Sequence, residues 1–313
     1  MSLTPEQREA RKQVLGGSDA PVAANLSKYK SPATLILEKQ GRLPVLDLET
    51  KWIKRGNRFE EVVADIYEEE TGRKIRRIGT RWHEQYPFML CHLDRQIISD
   101  PRGPGSLQIK TTRLKQDWEE GIPDHVMVQV QHELAVTGYR WASVAVLFDL
   151  DDFRYFDVER DDELIEYLIT IEKRVWSMVE SQETPPIVWA PDSADLIKRL
   201  YPVDNSQTIT LDDPAAASAA QAFLDAKAEA ATWEDQQEQA SLTLKAAMGE
   251  AAIAQVPGFG QITWKSSKPS QKFDLDRFKT EHPDLYQQYQ LTQPGSRRFL
   301  VKPGKELVSH GRG

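Results

Sequence analysis

Leu93-Asp94-Arg95-Gln96-Ile97-Ile98-Ser99, then Asp100-Pro101-Arg102-Gly103-Pro104-Gly105, then Leu107-Gln108-Ile109-Lys110-Thr111: these residues decide the fold. Residues 88–99 and 107–111 predict two strands, and the Pro- and Gly-dense segment between them predicts a turn. Strand side chains alternate faces, so His92, Asp94 and Gln96 are expected on one face of the first strand. Gln108 and Lys110 are expected on one face of the second, with Leu107 and Ile109 on the other. Asp94 and Lys110 are charged residues in apolar-flanked strands. A buried charge costs several kcal/mol unless it is paired or metal-bound. Two of them on adjacent strands mark either a shared site or a cross-strand ion pair.

Outward from this pair, Phe59, Val62, Val63, Ile66 and Tyr67 fall at i, i+3, i+4, i+7 and i+8, predicting a helix over 52–71 that Gly72 ends. A second helix is predicted over 123–137, closed by Gly138, followed by a continuous apolar strand over 141–148. A further strand over 153–158 and an amphipathic helix over 161–179 complete an α/β domain with a mixed sheet. Thr184-Pro185-Pro186 breaks that helix, and Tyr201-Pro202-Val203-Asp204-Asn205 reads as a linker. The expected organisation is one domain over 1–204 and a C-terminal extension over 205–313. The extension reads as a long helix or helical hairpin over 213–254, a helical stretch over 273–288, and short strands at 262–265 and 299–302.

The chain of 313 residues has 40 Lys plus Arg against 48 Asp plus Glu, a net charge of −8. That excludes a uniformly basic coat for nucleic acid, though not a basic groove on an acidic protein. Charge is segregated: residues 1–58 carry eleven basic and six acidic side chains, and Arg73 to Arg81 add five basic ones with no acid. Residues 149–192 carry thirteen acidic side chains against four basic. This suggests a polyanion-binding face apart from a solvated acidic one. A lone cysteine, Cys91, excludes a disulfide framework, a Cys-rich zinc site and a Cys-ligated iron–sulfur cluster. No apolar run reaches the roughly 18 residues of a membrane span, and the N-terminal residues lack the apolar core of a signal peptide. The expectation is a soluble cytoplasmic protein.

Asp94, thirteen residues, then Gln108-Ile109-Lys110 resembles the PD-(D/E)xK nuclease signature, with Gln108 standing where the second acid belongs. An ordered set of segments then resembles the lambda-exonuclease/YqaJ family of phage recombination nucleases. It comprises Arg11 with Leu15-Gly16-Gly17-Ser18-Asp19, Lys28-Tyr29-Lys30-Ser31-Pro32, Arg55-Gly56-Asn57-Arg58-Phe59-Glu60, the two strands, and Gln129-Val130-Gln131-His132-Glu133-Leu134. The resemblance covers residues 11–180. It implies a restriction-endonuclease-like core and a metal-dependent 5′→3′ exonuclease acting on double-stranded DNA ends. The product would be a 3′ overhang for a single-strand annealing protein, in a bacterial host cell and from a phage or prophage gene. It also implies a homotrimeric ring.

By the same resemblance two Mg²⁺ ions, or Mn²⁺ as a substitute, would be held by Asp94, the Gln108 amide oxygen, the Ile109 carbonyl and Glu60. Lys110 would orient the attacking water and offset charge, and Gln129 would position that water. Arg11 and Ser18 would hold a terminal 5′-phosphate, through the bidentate fork that guanidinium offers. His92 either joins that phosphate or is a packed strand histidine. His125, His132 and Cys91 lack metal-ligand spacing and read as structural. Trp82 and Trp118 either stack on DNA or pack. A carboxamide ligates through oxygen without the charge of a carboxylate, so Gln108 leaves open a DNA-end-binding recombination protein with weak or no cleavage. A second rival is an endonuclease on the same fold. A non-enzymatic adaptor is a third.

Overall fold

The computed structural model describes residues 13–44, 51–149, 152–291 and 295–302. The chain divides into two compact units, 1–201 and 202–313.

The first unit is built on a five-stranded sheet in the order β1-β4-β5-β6-β7. Its strands are β1 (Ile75–Arg76), β4 (Arg95–Ile97), β5 (Gly105–Thr111), β6 (Trp141–Leu147) and β7 (Phe153–Glu159). Neighbours run antiparallel except β5 and β6, which are parallel and register Gln108 with Val144. A parallel pair needs a crossover, and helix α4 (Asp124–Thr137) supplies it. The result is the mixed α/β core expected from the sequence.

Helices cover both faces of this sheet. Helix α3 (Lys51–Thr71) lays Val63, Ala64 and Tyr67 on Ile97, Leu107, Ile109, Trp141, Ala145 and Leu147. On the opposite face Val126, Val130 and Leu134 of α4 pack on Ala142, Val144, Val146 and Phe148, with Ile165 of α5 (Asp162–Ser181). The period-2 alternation of β5 sorts its residues between these layers. Leu107 and Ile109 go to the α3 core, so Ser106, Gln108 and Lys110 point toward α4. Gly138 ends α4 in the left-handed region at φ 70°, where a glycine carries no steric cost.

Two short helices precede this core, α1 (Ala20–Ala23) and α2 (Pro32–Lys39). Ser31 caps α2 by accepting from Thr34 N at 3.3 Å, with Pro32 at the first helical position. Asp192, just before α6 (Ser193–Leu200), accepts from the Ser31 amide at 3.0 Å and from Thr34 Oγ1 at 2.7 Å. The Lys-Tyr-Lys-Ser-Pro segment is thus a helix start stapled to a distant helix.

The strand expected over 88–99 is broken. Leu90–Cys91 forms β3, which pairs with β2 (Arg81–Trp82) in a separate ribbon, and only Arg95–Ile97 joins the main sheet. Between them the chain bends, so alternation does not run through His92, Asp94 and Gln96. Gln96 is buried and bonded to Tyr139 and Arg76, while His92 is exposed with its ring against Thr80 Oγ1 at 3.0 Å. Phe59 and Val62, expected in the α3 core stripe, are exposed, and Ala64 takes their place. Trp118 is buried in the core and Trp82 is exposed.

In the second unit Pro214–Met248 is one helix of 35 residues, α7, started by Asp213. A hairpin follows, β8 (Ile253–Val256) with β9 (Gly260–Thr263), then α8 (Leu275–Glu281) and α9 (Pro283–Gln288), separated at His282. The strand expected at 299–302 does not form. Among the described residues no helix is long and apolar enough to cross a membrane.

Candidate active site

Asp94 sits in the bend before β4, where antiparallel pairing of Arg95 with Leu107 carries it alongside Gln108. Its Oδ2 accepts two hydrogen bonds, from Ile109 N at 2.7 Å and from Gln108 Nε2 at 2.7 Å. A carboxylate only accepts, so Gln108 must turn its NH₂ toward Asp94 and its oxygen away. That oxygen accepts from Gln129 Nε2 at 2.8 Å. Gln129 Oε1 in turn accepts from the Lys110 ammonium at 2.8 Å. The four side chains form one directed chain, Lys110 to Gln129 to Gln108 to Asp94, and each amide has a single orientation compatible with it.

The chain continues into the protein. Gln129 Nε2 also donates to Glu133 Oε1 at 3.2 Å, one turn along α4, and Ser106 Oγ donates to Glu133 Oε2 at 3.0 Å. Glu133 is 1% exposed. Burial pushes its carboxyl up to about 7, assisted by the nearby Asp94 charge. Burial likewise raises Asp94 to about 6, against the Ile109 amide and Lys110, which favour its charge. Burial lowers Lys110, opposed by Asp94 and Glu133.

Glu60 and Glu61 on α3 approach from the other side. Arg95 donates to Glu60 at 2.6 Å and to Glu61 at 2.7 Å, so the Glu60 carboxylate is engaged by a buried guanidinium. Glu60 is near enough to raise Asp94 further. Among the described residues no three His, Cys, Asp or Glu side chains cluster as a metal cage.

The Gly16-Gly17-Ser18-Asp19 turn lies against this site. A Cβ at Gly17 would stand 3.2 Å from Glu133 Oε1 and 3.6 Å from Gln129 Cγ, so glycine is what lets the turn approach. Ser18 follows, exposed. Asp19 is locked by Lys39 at 2.7 Å and by the Gly16 amide at 3.1 Å, and the lysines at 39 and 30 hold it low in spite of burial. Arg11 lies outside the described residues.

Three of the five cations in 73–81 are engaged within the protein: Arg73 with Asp157 and Asp100, Arg76 with Gln96, and Arg77 with Glu61. The basic run is therefore less available to a polyanion than its composition suggested. His132 is a buried partner of Glu172, and burial pushes the Cys91 thiol up, leaving it inert. Among the sequence-derived candidates Asp94, Gln108, Lys110 and Gln129 converge; Glu60 borders them through Arg95. Glu133 and Gly17 were missed. A glutamate four residues after Gln129 on one helix was the available signal.

The fold and these side chains define a mixed α/β protein that gathers Asp94, Gln108, Lys110 and Gln129 into one polar site beside β5. Residues 7–140 match the YqaJ-like viral recombinase domain. The chain is 31% identical over 300 residues to the uncharacterized protein YqaJ of Bacillus subtilis (strain 168), spanning 93% of this chain and 92% of that one. It belongs to the YqaJ family. Among solved structures it resembles LHK-Exo in complex with dAMP, with TM-score 0.49 and 21% identity over 57% of this chain and 94% of that one. LHK-Exo is an alkaline exonuclease from Laribacter hongkongensis. A phage related exonuclease from Haemophilus somnus 129PT gives TM-score 0.37 and 14% identity over 54% and 96%.

Proposed function

We propose that this protein is a metal-dependent DNA exonuclease of phage-type recombination, digesting double-stranded ends 5′→3′ and leaving 3′ overhangs for a single-strand annealing protein. The observation that carries the reading is the Lys110–Gln129–Gln108–Asp94 chain in a member of the YqaJ family. The proposed setting is the cytoplasm of a bacterial host, with a phage or prophage gene and a homotrimer around the DNA.

The donors present suit a hard cation: carboxylate, amide and carbonyl oxygens with no thiolate. Both bonds to Asp94 end on Oδ2, so Oδ1 is not used by either. Asp94, the Gln108 oxygen, the Ile109 carbonyl and Glu60 would hold Mg²⁺, or Mn²⁺ in its place, as two ions per site. A cation held there would supply Lewis-acid chemistry, polarising a phosphate oxygen and lowering the pKa of a water. Lys110 holds a positive charge beside the position of the reacting phosphate, and Gln129 fixes that ammonium in place. Arg11 and Ser18 would take the terminal 5′-phosphate.

One observation favours a second reading, end binding with little cleavage: the Gln108 NH₂, not its oxygen, faces Asp94. Nucleotide release from linear duplexes with 5′-phosphate or 5′-hydroxyl ends, in Mg²⁺ or EDTA and beside a covalently closed circle, separates the readings. The expected result is Mg²⁺-dependent release from linear DNA only, about ten- to a hundredfold faster from 5′-phosphate. Binding without release supports the end-binding protein, and cutting of the circle supports an endonuclease.

A further inference from the structure

We propose that Glu133 is a positioning residue of this site and carries the negative charge that Gln108 lacks, moved from strand β5 to helix α4. The inference rests on the nuclease reading above.

Glu133 is buried, yet its direct partners among the described residues are neutral: the Ser106 hydroxyl and the Gln129 amide. A carboxylate in that condition is expensive to bury. A neutral side chain of the same size would fill the space without that cost. What the carboxylate does is visible in the directions of the bonds. The Gln129 NH₂ has two hydrogens, and Glu133 Oε1 and Gln108 Oε1 take them. With both committed, the Gln129 oxygen has to face Lys110. Remove the Glu133 acceptor and the second Gln129 hydrogen loses its partner, so the amide that joins Lys110 to Gln108 is held at two points instead of three. Glu133 thereby fixes Gln108, Gln129 and Lys110 together.

The second element is charge. Gln108 supplies no charge where a cation is to be held. Glu133 lies close enough to interact with both Asp94 and Lys110. It adds a second carboxylate to the region that Asp94 alone would otherwise serve, at one remove, through Gln129. The Gly17 turn sits against the same carboxylate, at 3.2 Å from a Cβ built on that glycine. The segment that would hold the 5′ end is therefore in register with the group that sets the amides.

The test compares the full-length wild type, Glu133→Gln, Gln108→Glu, the double variant with both changes, and Glu133→Asp. Mg²⁺ binding is measured by titration calorimetry with MgCl₂, and nucleotide release by a time course on 5′-phosphorylated linear duplex over a range of Mg²⁺. Circular dichroism confirms folding. Glu133→Gln is expected to weaken Mg²⁺ binding at least tenfold and to lower kcat at least tenfold, with KM for DNA little changed. Gln108→Glu in the same chain is expected to restore most of the Mg²⁺ affinity, because it returns the charge to the strand. Glu133→Asp keeps the charge but withdraws it from Gln129, so it is expected to preserve Mg²⁺ affinity within about threefold while kcat still falls. Wild-type Mg²⁺ affinity in folded Glu133→Gln, or a double variant no better than that single one, overturns the proposal. If no form releases nucleotides but Mg²⁺ affinity follows the expected order, the nuclease reading fails and the charge assignment to Glu133 stands. A wild type that takes up no Mg²⁺ overturns both.

Discussion

His132 and Glu133 are consecutive on α4, and each serves a different kind of polar interior. His132, 0% exposed, meets Glu172, 1% exposed, at 2.8 Å, and its other ring nitrogen lies 2.9 Å from the Leu90 carbonyl. Both bonds are satisfied at once by an imidazolium, which donates from both nitrogens. Glu172 and the Leu90 carbonyl outweigh burial and raise His132 to about 9. Glu133 has no such counter-charge in direct contact and is held by neutral donors. The first arrangement ties α4 to α5 and to the β2–β3 ribbon. The second joins, through Gln129, the chain of bonds that runs to Lys110, Gln108 and Asp94. Burial alone therefore does not separate a structural carboxylate from a working one; the charge of its direct partners does.

The site side should break first and furthest. Lys110→Ala and Asp94→Ala are each expected to reduce Mg²⁺-dependent nucleotide release by about 10²–10³ or more, the scale for removing one preorganised charge stabiliser. Both variants should fold, as judged by circular dichroism. Wild-type rates in either would dissolve the contrast, because the site side would then be as purely structural as the His132 side.

The His132 side should break in stability. His132→Leu leaves Glu172 buried without its cation, and a cost of about 3–5 kcal/mol is expected in urea unfolding at pH 6. The sign with pH follows from the raised value. A His that titrates near 9 when folded and near 6.5 when unfolded contributes fully below 6.5 and loses that contribution as pH rises through about 9. The gap between wild type and His132→Leu should therefore narrow by roughly 3 kcal/mol at most across that window. A gap that stays constant from pH 6 to 10 would mean that the pair is not ionic.

How much of this was legible in sequence follows from the range of the forces involved. The Leu107/Ile109 and Gln108/Lys110 split was legible, because period 2 is local and β5 is regular along its length. So were Gly138 and the start of α4, which depend on neighbours in sequence. The bend at Asp94 was not. Leu90 and Cys91 look like strand residues and are strand residues, but their partners are Arg81 and Trp82, in a ribbon that alternation cannot assign. In α3 the apolar spacing was right and the buried face was rotated, since Ala64 rather than Phe59 or Val62 meets the sheet. The approach of Gly17 to Glu133 joins residues 116 apart, and nothing local to either announces it. Asp94, Gln108, Lys110 and Gln129 were found from motif resemblance. Glu133 stands inside the Gln129–Leu134 segment, but nothing in that segment sets it apart from an ordinary helix glutamate until its partners are seen.

The smallest effect expected has the opposite sign to the other two, and it sharpens the comparison most. Glu133→Gln removes a carboxylate that folding disfavours, so it should stabilise the protein while impairing the site. The folded-state value of about 7 lies above an ordinary glutamate's 4.5. Folded Glu133 therefore holds its proton more tightly than the unfolded chain does. Below pH 4.5 both states are protonated and the substitution should change little. As pH rises through 7 the folded state must either keep a proton or bury a charge, and the glutamine escapes that cost. The expected gain grows from near zero in acid to about 1–3 kcal/mol at pH 8, where 1.36 kcal/mol per pKa unit sets the upper end. It stays below the cost of His132→Leu because Ser106 and Gln129 lose some hydrogen-bond strength to a neutral acceptor. Urea unfolding at pH 5 and pH 8 measures it. A loss of stability at pH 8 would show that Glu133 is paired as well as Glu172 is, and the two sides of α4 would then be alike.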